Sequence, residues 1–465
     1  MPSNPERFEL VTQKMLYGGA ALGHHAGHPV LVPYTLPGER VQVETTRLAK
    51  GMIYTRLVQV LEPSPQRVAA PCPYFGRCGG CHYQHLDAAR QLEMKREILR
   101  ETLRRVGHID WQGEVATHTA EPWGYRNQVR LKIGRRDAAS AAAASAAAVT
   151  PIGFFAADSH QFVAIDRCPI SSPRLNAVIQ EFASAEWAAR LEGWSEVELR
   201  ADDRDEHVVV TFRGAVTDSI EGSIERLAGE CLRELSGAAG IVFDIDPVPE
   251  APRPDRHHRG GNIRRRQRLT SPRRASGDAT LIYRVGDINY RVSPGSFFQA
   301  SRLLLPEFVS TVIADFEGGS PGLALDLYAG AGLFTLPLTR RFREVVSVEA
   351  NPEAAADLAA NLRVNGAANA RAVRSTAAEF LRRYAQAAPD LVVLDPPRAG
   401  AEGETLRRLA AIRPAQIRYV SCHPPTLARD LAALVERGYR IERVDLFDLF
   451  PQTFHIETLV RLSRV

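Results

Sequence analysis

The sequence predicts an α/β protein: a C-terminal Rossmann-like domain, an N-terminal OB-like β-barrel, and a central α+β region between them. Three observations carry this. From about Ser293 onward, short apolar runs alternate with helical stretches, the pattern of a mostly parallel sheet covered by helices. Over residues 1–62, short alternating segments are separated by glycine and proline turns, as in a small barrel. Between the two lies a stretch that opens with prolines and clustered cysteines and contains both helical and strand patterns. The expected division is 1–62, 63–292 and 293–465.

In the first region, strands are expected at Phe8–Thr12, Val30–Pro33, Arg40–Thr46 and Tyr54–Leu61, with turns at Tyr17-Gly18-Gly19 and Leu36-Pro37-Gly38-Glu39. In the second, Leu86–Val106 carries Leu92, Ile98, Leu99 and Leu103 at helical spacing. Strands follow at Gln128–Ile133, Val197–Arg200 and His207–Phe212. Two low-complexity stretches, about 137–149 (Ala and Ser) and 247–278 (Pro, Gly and Arg), read as insertions at loop tips without fixed structure. In the third, strands are expected at Leu323–Leu327, Val345–Val348, Leu391–Leu394, Ile417–Val420 and Leu459–Leu462, with helices such as Ala354–Val364 and Thr426–Gly438.

Composition bounds the function. The chain has 465 residues, 45% hydrophobic and 24% charged, ordinary for a globular protein. No apolar run reaches the roughly 18 residues of a membrane span. The polar N-terminus does not resemble a signal peptide, so a cytoplasmic protein with no membrane association is expected. The net charge of +4 does not by itself imply a polyanionic partner. Between Arg253 and Arg274, however, lie nine arginines and one acid, Asp255. Such a block is either a solvated loop or an arm that follows RNA phosphates.

The segment Asp326-Leu327-Tyr328-Ala329-Gly330-Ala331-Gly332-Leu333 follows an expected strand and opens a helix. Its glycines allow a ligand to approach the backbone. A second strand ends in Glu349, placed to accept hydrogen bonds from ribose hydroxyls. A nicotinamide enzyme shares these two features. The D-x-x-x-G-x-G turn, the Asp395-Pro396-Pro397-Arg398 strand end and a nearby cysteine favour S-adenosylmethionine (SAM) instead. That cysteine is Cys422, in Tyr419-Val420-Ser421-Cys422-His423-Pro424. It ends a strand, where open α/β sheets bind ligands, and a Pro-Pro turn follows it. A reactive thiol is expected there, with an inert core cysteine as the alternative. Glu457 is the candidate base, and His455 is its rival.

Cys72, Cys78 and Cys81, with Cys168 much later, form a possible four-thiolate set. Such a set suits a [4Fe–4S] cluster or zinc, and spacing alone does not choose. The C-x5-C gap differs from the C-x3-C-x2-C of radical SAM enzymes. Cys231, in a helical context, reads as a core residue.

Together these features resemble the iron–sulfur branch of the RNA uracil-5 methyltransferase family, whose members carry an N-terminal TRAM barrel. The resemblance runs over nearly the whole chain. It rests on Leu36-Pro37-Gly38-Glu39, Cys-x5-Cys-Gly-Gly-Cys, Tyr125-Arg126-Asn127, Ser293-Pro294-Gly295-Ser296-Phe297-Phe298-Gln299, Asp395-Pro396-Pro397-Arg398, Ser421-Cys422 and Phe450-Pro451-Gln452-Thr453-x-His455-x-Glu457. It implies SAM-dependent methylation of uracil carbon 5 in RNA, with 23S rRNA favoured and the tRNA T-loop as the alternative. It also implies that Cys422 is the nucleophile and Glu457 the base. Gln299, Tyr328, Gly330, Glu349 and Asp395 would line the SAM and substrate site. A [4Fe–4S] cluster would sit on Cys72, Cys78, Cys81 and Cys168. The barrel and central domain would grip RNA, and the protein would be a monomer. The chain departs from the family pattern at His423, Thr376 and Leu333. Two further readings are a non-catalytic RNA-binding assembly factor that keeps the fold, and an enzyme acting on cytosine or DNA.

Overall fold

The computed structural model describes residues 6–134, 151–215, 222–246, 273–314 and 322–465. They form two compact units, 1–125 with 283–465, and 126–282. The central region expected over 63–292 is thus shared between them.

The first unit begins with a closed barrel of β1 (Arg7–Met15), β2 (Ala20–His25), β3 (His28–Pro33), β4 (Arg40–Ala49) and β5 (Met52–Glu62), in the order β1-β2-β3-β5-β4. Period-two alternation turns Phe8, Leu10, Val30, Val32, Val41 and Val43 inward to form its core. β2 escapes the sequence reading because Ala20–His25 contains little that favours strands. At the Leu36–Glu39 turn Gly38 takes φ +84°. The buried Glu39 carboxylate accepts hydrogen bonds from Leu36 N (2.8 Å), Ser64 N (3.1 Å) and Arg67 Nε (2.5 Å). Burial opposes its ionisation, but the Arg67 and backbone hydrogen bonds prevail and lower its pKa.

Next comes α1 (Ala88–Val106), capped by Asp87, whose side chain accepts from Arg90 N. It buries Met94, Ile98, Leu99 and Leu103, and with them the polar Gln91 and Lys95. Strand β6 (Val115–His118) follows.

The second unit contains β7 (Gln128–Ile133), β8 (Ile152–Phe155), β9 (Phe162–Ala164), α2 (Pro173–Phe182), α3 (Ala185–Arg190), β10 (Glu196–Ala201), β11 (Val208–Ala215), α4 (Ile224–Glu234), β12 (Ala238–Asp246) and β13 (Arg273–Gly277). The strands form one seven-stranded sheet, β13-β12-β11-β10-β7-β8-β9. Cys231 is buried on α4, as expected of a core residue. β13 corrects the reading of 247–278 as wholly without structure: Arg273–Gly277 pairs antiparallel with β12 and takes its conformation from that ladder. The rest of that insertion, 247–272, and the whole Ala/Ser insertion lie outside the described residues.

The chain then forms the hairpin β14 (Leu281–Val285) and β15 (Ile288–Val292), helix α5 (Leu305–Val312), and the strand–helix series of the first unit. That series is β16 (Leu323–Leu327), α6 (Thr335–Thr339), β17 (Glu344–Glu349), α7 (Pro352–Val364), β18 (Ala370–Arg374), α8 (Ala377–Arg382), β19 (Leu391–Leu394), α9 (Gly403–Ala411), β20 (Gln416–Ser421), α10 (Pro424–Val435), β21 (Tyr439–Phe447) and β22 (Glu457–Arg464). The sheet order is β18-β17-β16-β19-β20-β22-β21-β6. β16 to β20 run parallel, and β22 runs antiparallel to both its neighbours. Unbroken burial of Leu391–Leu394 fits a strand covered on both faces. β6 joins this sheet from a distant part of the chain through its parallel pairing with β21.

Candidate active site

The carboxyl ends of β16, β17, β19 and β20 present Tyr328, Glu349, Asp395 and Cys422 at one edge of the sheet. The reversed direction of β22 brings its first residue to that same edge. Ser421 pairs with Thr458 in the β20–β22 ladder, so Cys422 and Glu457 each lie one residue beyond a shared rung.

Around the thiol the electrostatics are mixed. Burial pushes the Cys422 pKa up to about 11, and the Glu457 and Asp395 charges add to this. The Arg398 guanidinium opposes them, both by charge and by hydrogen bonding to Cys422. Glu457 is 3% exposed. Its pKa is held well above the usual carboxylate range by burial and by the Asp395 charge, again against Arg398. Asp395 is raised to about 7 by burial. The Cys422 thiol and the Glu457 carboxylate therefore share the influence of one guanidinium.

Arg398 is the residue that sequence reasoning quoted without a role. Helix α10 holds its loop: Thr426 Oγ1 donates to Arg398 O (3.1 Å), and Asp430 accepts from Ala401 N (2.8 Å) and from Tyr419 Oη (2.5 Å). Arg398 Nη2 also lies 2.6 Å from His455 Nδ1. That contact engages the lone pair His455 would need as a base, which favours Glu457 over its rival.

The glycine turn follows β16. Tyr328, Gly330 and Gly332 take φ of +66°, +55° and +98°. Gly330 N donates to Glu349 (2.9 Å), joining the ends of β16 and β17. A Cβ added to Gly330 would meet nothing nearer than Phe297 O at 4.0 Å, whereas one on Gly332 would press on Leu358 at 2.8 Å. Gly330 thus borders open space, and Gly332 is required for packing. Beneath the turn Asp326 is fully buried, with Oδ2 bonded to Thr335 and Oδ1 without a hydrogen-bond partner. Burial raises its pKa to about 7, against the Thr335 bond. Asp326 thus braces the turn from within the core, while the open backbone at Gly330 leaves room for a ligand, and SAM fits. The Ser293–Gln299 segment is fixed by Asp357 of α7, which accepts from Ser293 N and Ser293 Oγ at 2.7 Å each and from Ser296 Oγ. Gln299 on that segment is buried.

The three departures have local roles. His423 caps α10, its Nδ1 accepting from Thr426 N (3.3 Å). Thr376 caps α8 by accepting from Glu379 N (3.2 Å). Leu333 is buried in the core.

Cys72, Cys78, Cys81 and Cys168 are the residues expected to hold a cluster. Among the described residues no three His, Cys, Asp or Glu side chains are gathered where they could hold a metal ion. Cys72, Cys78 and Cys81 lie on one loop of the first unit, and Cys168 belongs to the second. The donor chemistry fits: all four are thiols, half-buried, and Cys78 Sγ accepts from Gly80 N (3.4 Å).

Comparison with known proteins agrees with the geometry. The tRNA (Uracil-5-)-methyltransferase family model matches residues 278–465. A 23S rRNA (uracil(1939)-C(5))-methyltransferase of Alkalilimnicola ehrlichii is 33% identical, over 99% of this chain and 97% of that protein. An uncharacterized RNA methyltransferase of Thermosynechococcus vestitus is 30% identical, over 98% and 97%. The crystal structure of Pyrococcus abyssi tRNA (uracil-54, C5)-methyltransferase, in complex with S-adenosyl-L-homocysteine, superposes with a TM-score of 0.68 at 26% identity, over 98% of this chain and all of that one. Among the described residues no helix is long and apolar enough to cross a membrane. The chain belongs to the family of SAM-dependent RNA uracil-5 methyltransferases.

Proposed function

We propose that this enzyme methylates carbon 5 of a uridine in 23S rRNA through a transient bond between Cys422 Sγ and carbon 6 of the base. One observation carries the reading: the β20–β22 register sets a thiol and a buried carboxylate side by side, and the Arg398 charge acts on both. Carbon 5 of uracil is a poor nucleophile. Addition of the Cys422 thiolate at carbon 6 makes an enolate whose electron pair is available at carbon 5. Carbon 5 would take its methyl group from SAM, whose sulfonium–methyl bond breaks to leave S-adenosylhomocysteine. Glu457 then takes the proton from carbon 5, the 5,6 double bond re-forms, the S–C6 bond breaks, and the thiolate returns. Glu457 passes its proton to solvent. A carboxylate with a raised pKa accepts a proton more readily than an ordinary one. Arg398 favours the thiolate over the thiol.

In this reading Gln299, Tyr328, Gly330, Glu349 and Asp395 bind SAM and orient the base. The target base is unstacked and turned into the site. The barrel and the second unit hold the RNA. The choice of 23S rRNA is supported by the 33% identical relative. A tRNA substrate is the alternative that the P. abyssi structure favours. Mapping 5-methyluridine in both RNAs from cells lacking the protein separates the two. We also propose that Cys72, Cys78, Cys81 and Cys168 carry a [4Fe–4S] cluster, supported by the all-thiol donor set.

The mechanism is tested with two variants. Glu457→Gln accumulates a covalent protein–RNA adduct on a denaturing gel, and Cys422→Ala abolishes methyl transfer while SAM binding stays unchanged. Turnover at the normal rate by Cys422→Ala would end the proposal.

A further inference from the structure

The turn between β1 and β2 reaches from the barrel to the nucleophile. Tyr17 Oη donates to Cys422 O at 3.4 Å, across 405 positions of sequence. Its ring stands edge-on to His423 (5.2 Å between centroids) and to Phe454 (5.5 Å). These residues flank the proposed nucleophile on one side and precede the proposed base on the other.

The turn itself is wedged in place. Gly18 and Gly19 take φ of +111° and +92°. A Cβ on Gly19 would lie 2.8 Å from the His82 ring. That ring packs edge-on against Phe454 at 4.7 Å. His82 N and Tyr83 N both donate to Gln452 O, at 2.8 and 3.0 Å. The barrel turn, the segment after Cys81 and the 450–457 loop thus meet in one aromatic cluster beside Cys422.

From this geometry we infer that Tyr17 is a positioning residue for methyl transfer, fixing the Ser421–Pro424 turn so that the Cys422 sulfur is correctly aimed. Burial pushes the phenol up to about 12, with the Cys422 and Glu457 charges adding and Arg398 opposing. It therefore remains a hydrogen-bond donor at neutral pH. Tyr17 belongs to the barrel proposed to hold RNA, so the module that grips substrate also steadies the reacting sulfur. The inference rests on Cys422 being the nucleophile.

The test measures the rate of covalent adduct formation in the Glu457→Gln background, with and without a change at Tyr17. Tyr17→Phe keeps the ring contacts and loses the hydroxyl, so the rate should fall about threefold, the scale of one weak hydrogen bond. Tyr17→Ala should slow it further, while the Kd values for SAM and for RNA stay at the Glu457→Gln level. A merely structural role would weaken binding along with the rate. Adduct rates unchanged by either Tyr17→Phe or Tyr17→Ala would overturn the inference. Absence of adduct in Glu457→Gln alone would instead overturn the nucleophile reading.

Discussion

At the scale of single residues, the thiol is the balance point. Burial and two carboxylates hold Cys422 protonated, and Arg398 pulls the other way. Removing that cation should raise the thiol pKa further. In Arg398→Gln, alkylation of Cys422 by iodoacetamide at pH 7 should slow by about tenfold, one pKa unit being a factor of ten in thiolate. The wild-type rate should return only at correspondingly higher pH. An unchanged profile would remove Arg398 from the site. Methylation should likewise rise with pH, because Glu457, as the proposed base, would accept a proton only once ionised and its pKa is raised. Much of this was legible beforehand. Cys422, Asp395 and Glu457 each close a recognisable motif, and the fold brings them together. Arg398 stood in its motif without a role, because a guanidinium's effect depends on which neighbours surround it. Tyr17 was legible only as part of a turn, since its partners lie hundreds of positions away.

At the scale of elements, helix α1 is the support for the loop that leads to Glu457. Lys95 Nζ, fully buried, donates to Asp448 Oδ1 at 2.7 Å and to Phe450 O at 3.0 Å. Gln91 exchanges hydrogen bonds with Gln452, which itself takes φ +68°. The helical period of Leu86–Val106 was readable from Ile98, Leu99 and Leu103. The buried polar face was not, because Gln91 and Lys95 read as solvent residues until their partners are known. Lys95→Met should destabilise the protein by about 3–5 kcal/mol, the cost of leaving a buried charge unpaired. Urea unfolding measures this. Adding Asp448→Leu should recover much of the loss, and no recovery would show that packing, not charge, dominates.

At the scale of the molecule, the parallel core was legible from its apolar runs, whereas the assignment of segments to units was not. β6 lies outside the C-terminal sequence block yet joins its sheet, and β13 lies in a stretch that reads as low complexity. Strand pairing decides both, and pairing is invisible in local pattern. The cysteines pose the same problem, since the set draws on both units. Anaerobically purified protein should absorb broadly near ~400 nm, as thiolate-ligated iron does. Colourless protein without iron would leave the four thiols without the proposed cluster. β22 fills the slot between β20 and β21, so until it inserts, the strand bearing the sulfur is a bare edge. Unprotected edges invite pairing with other chains, and such distant contacts form slowly. Zipping that slot shut protects the half-built protein from aggregation and, in the same stroke, delivers the carboxylate to its partner.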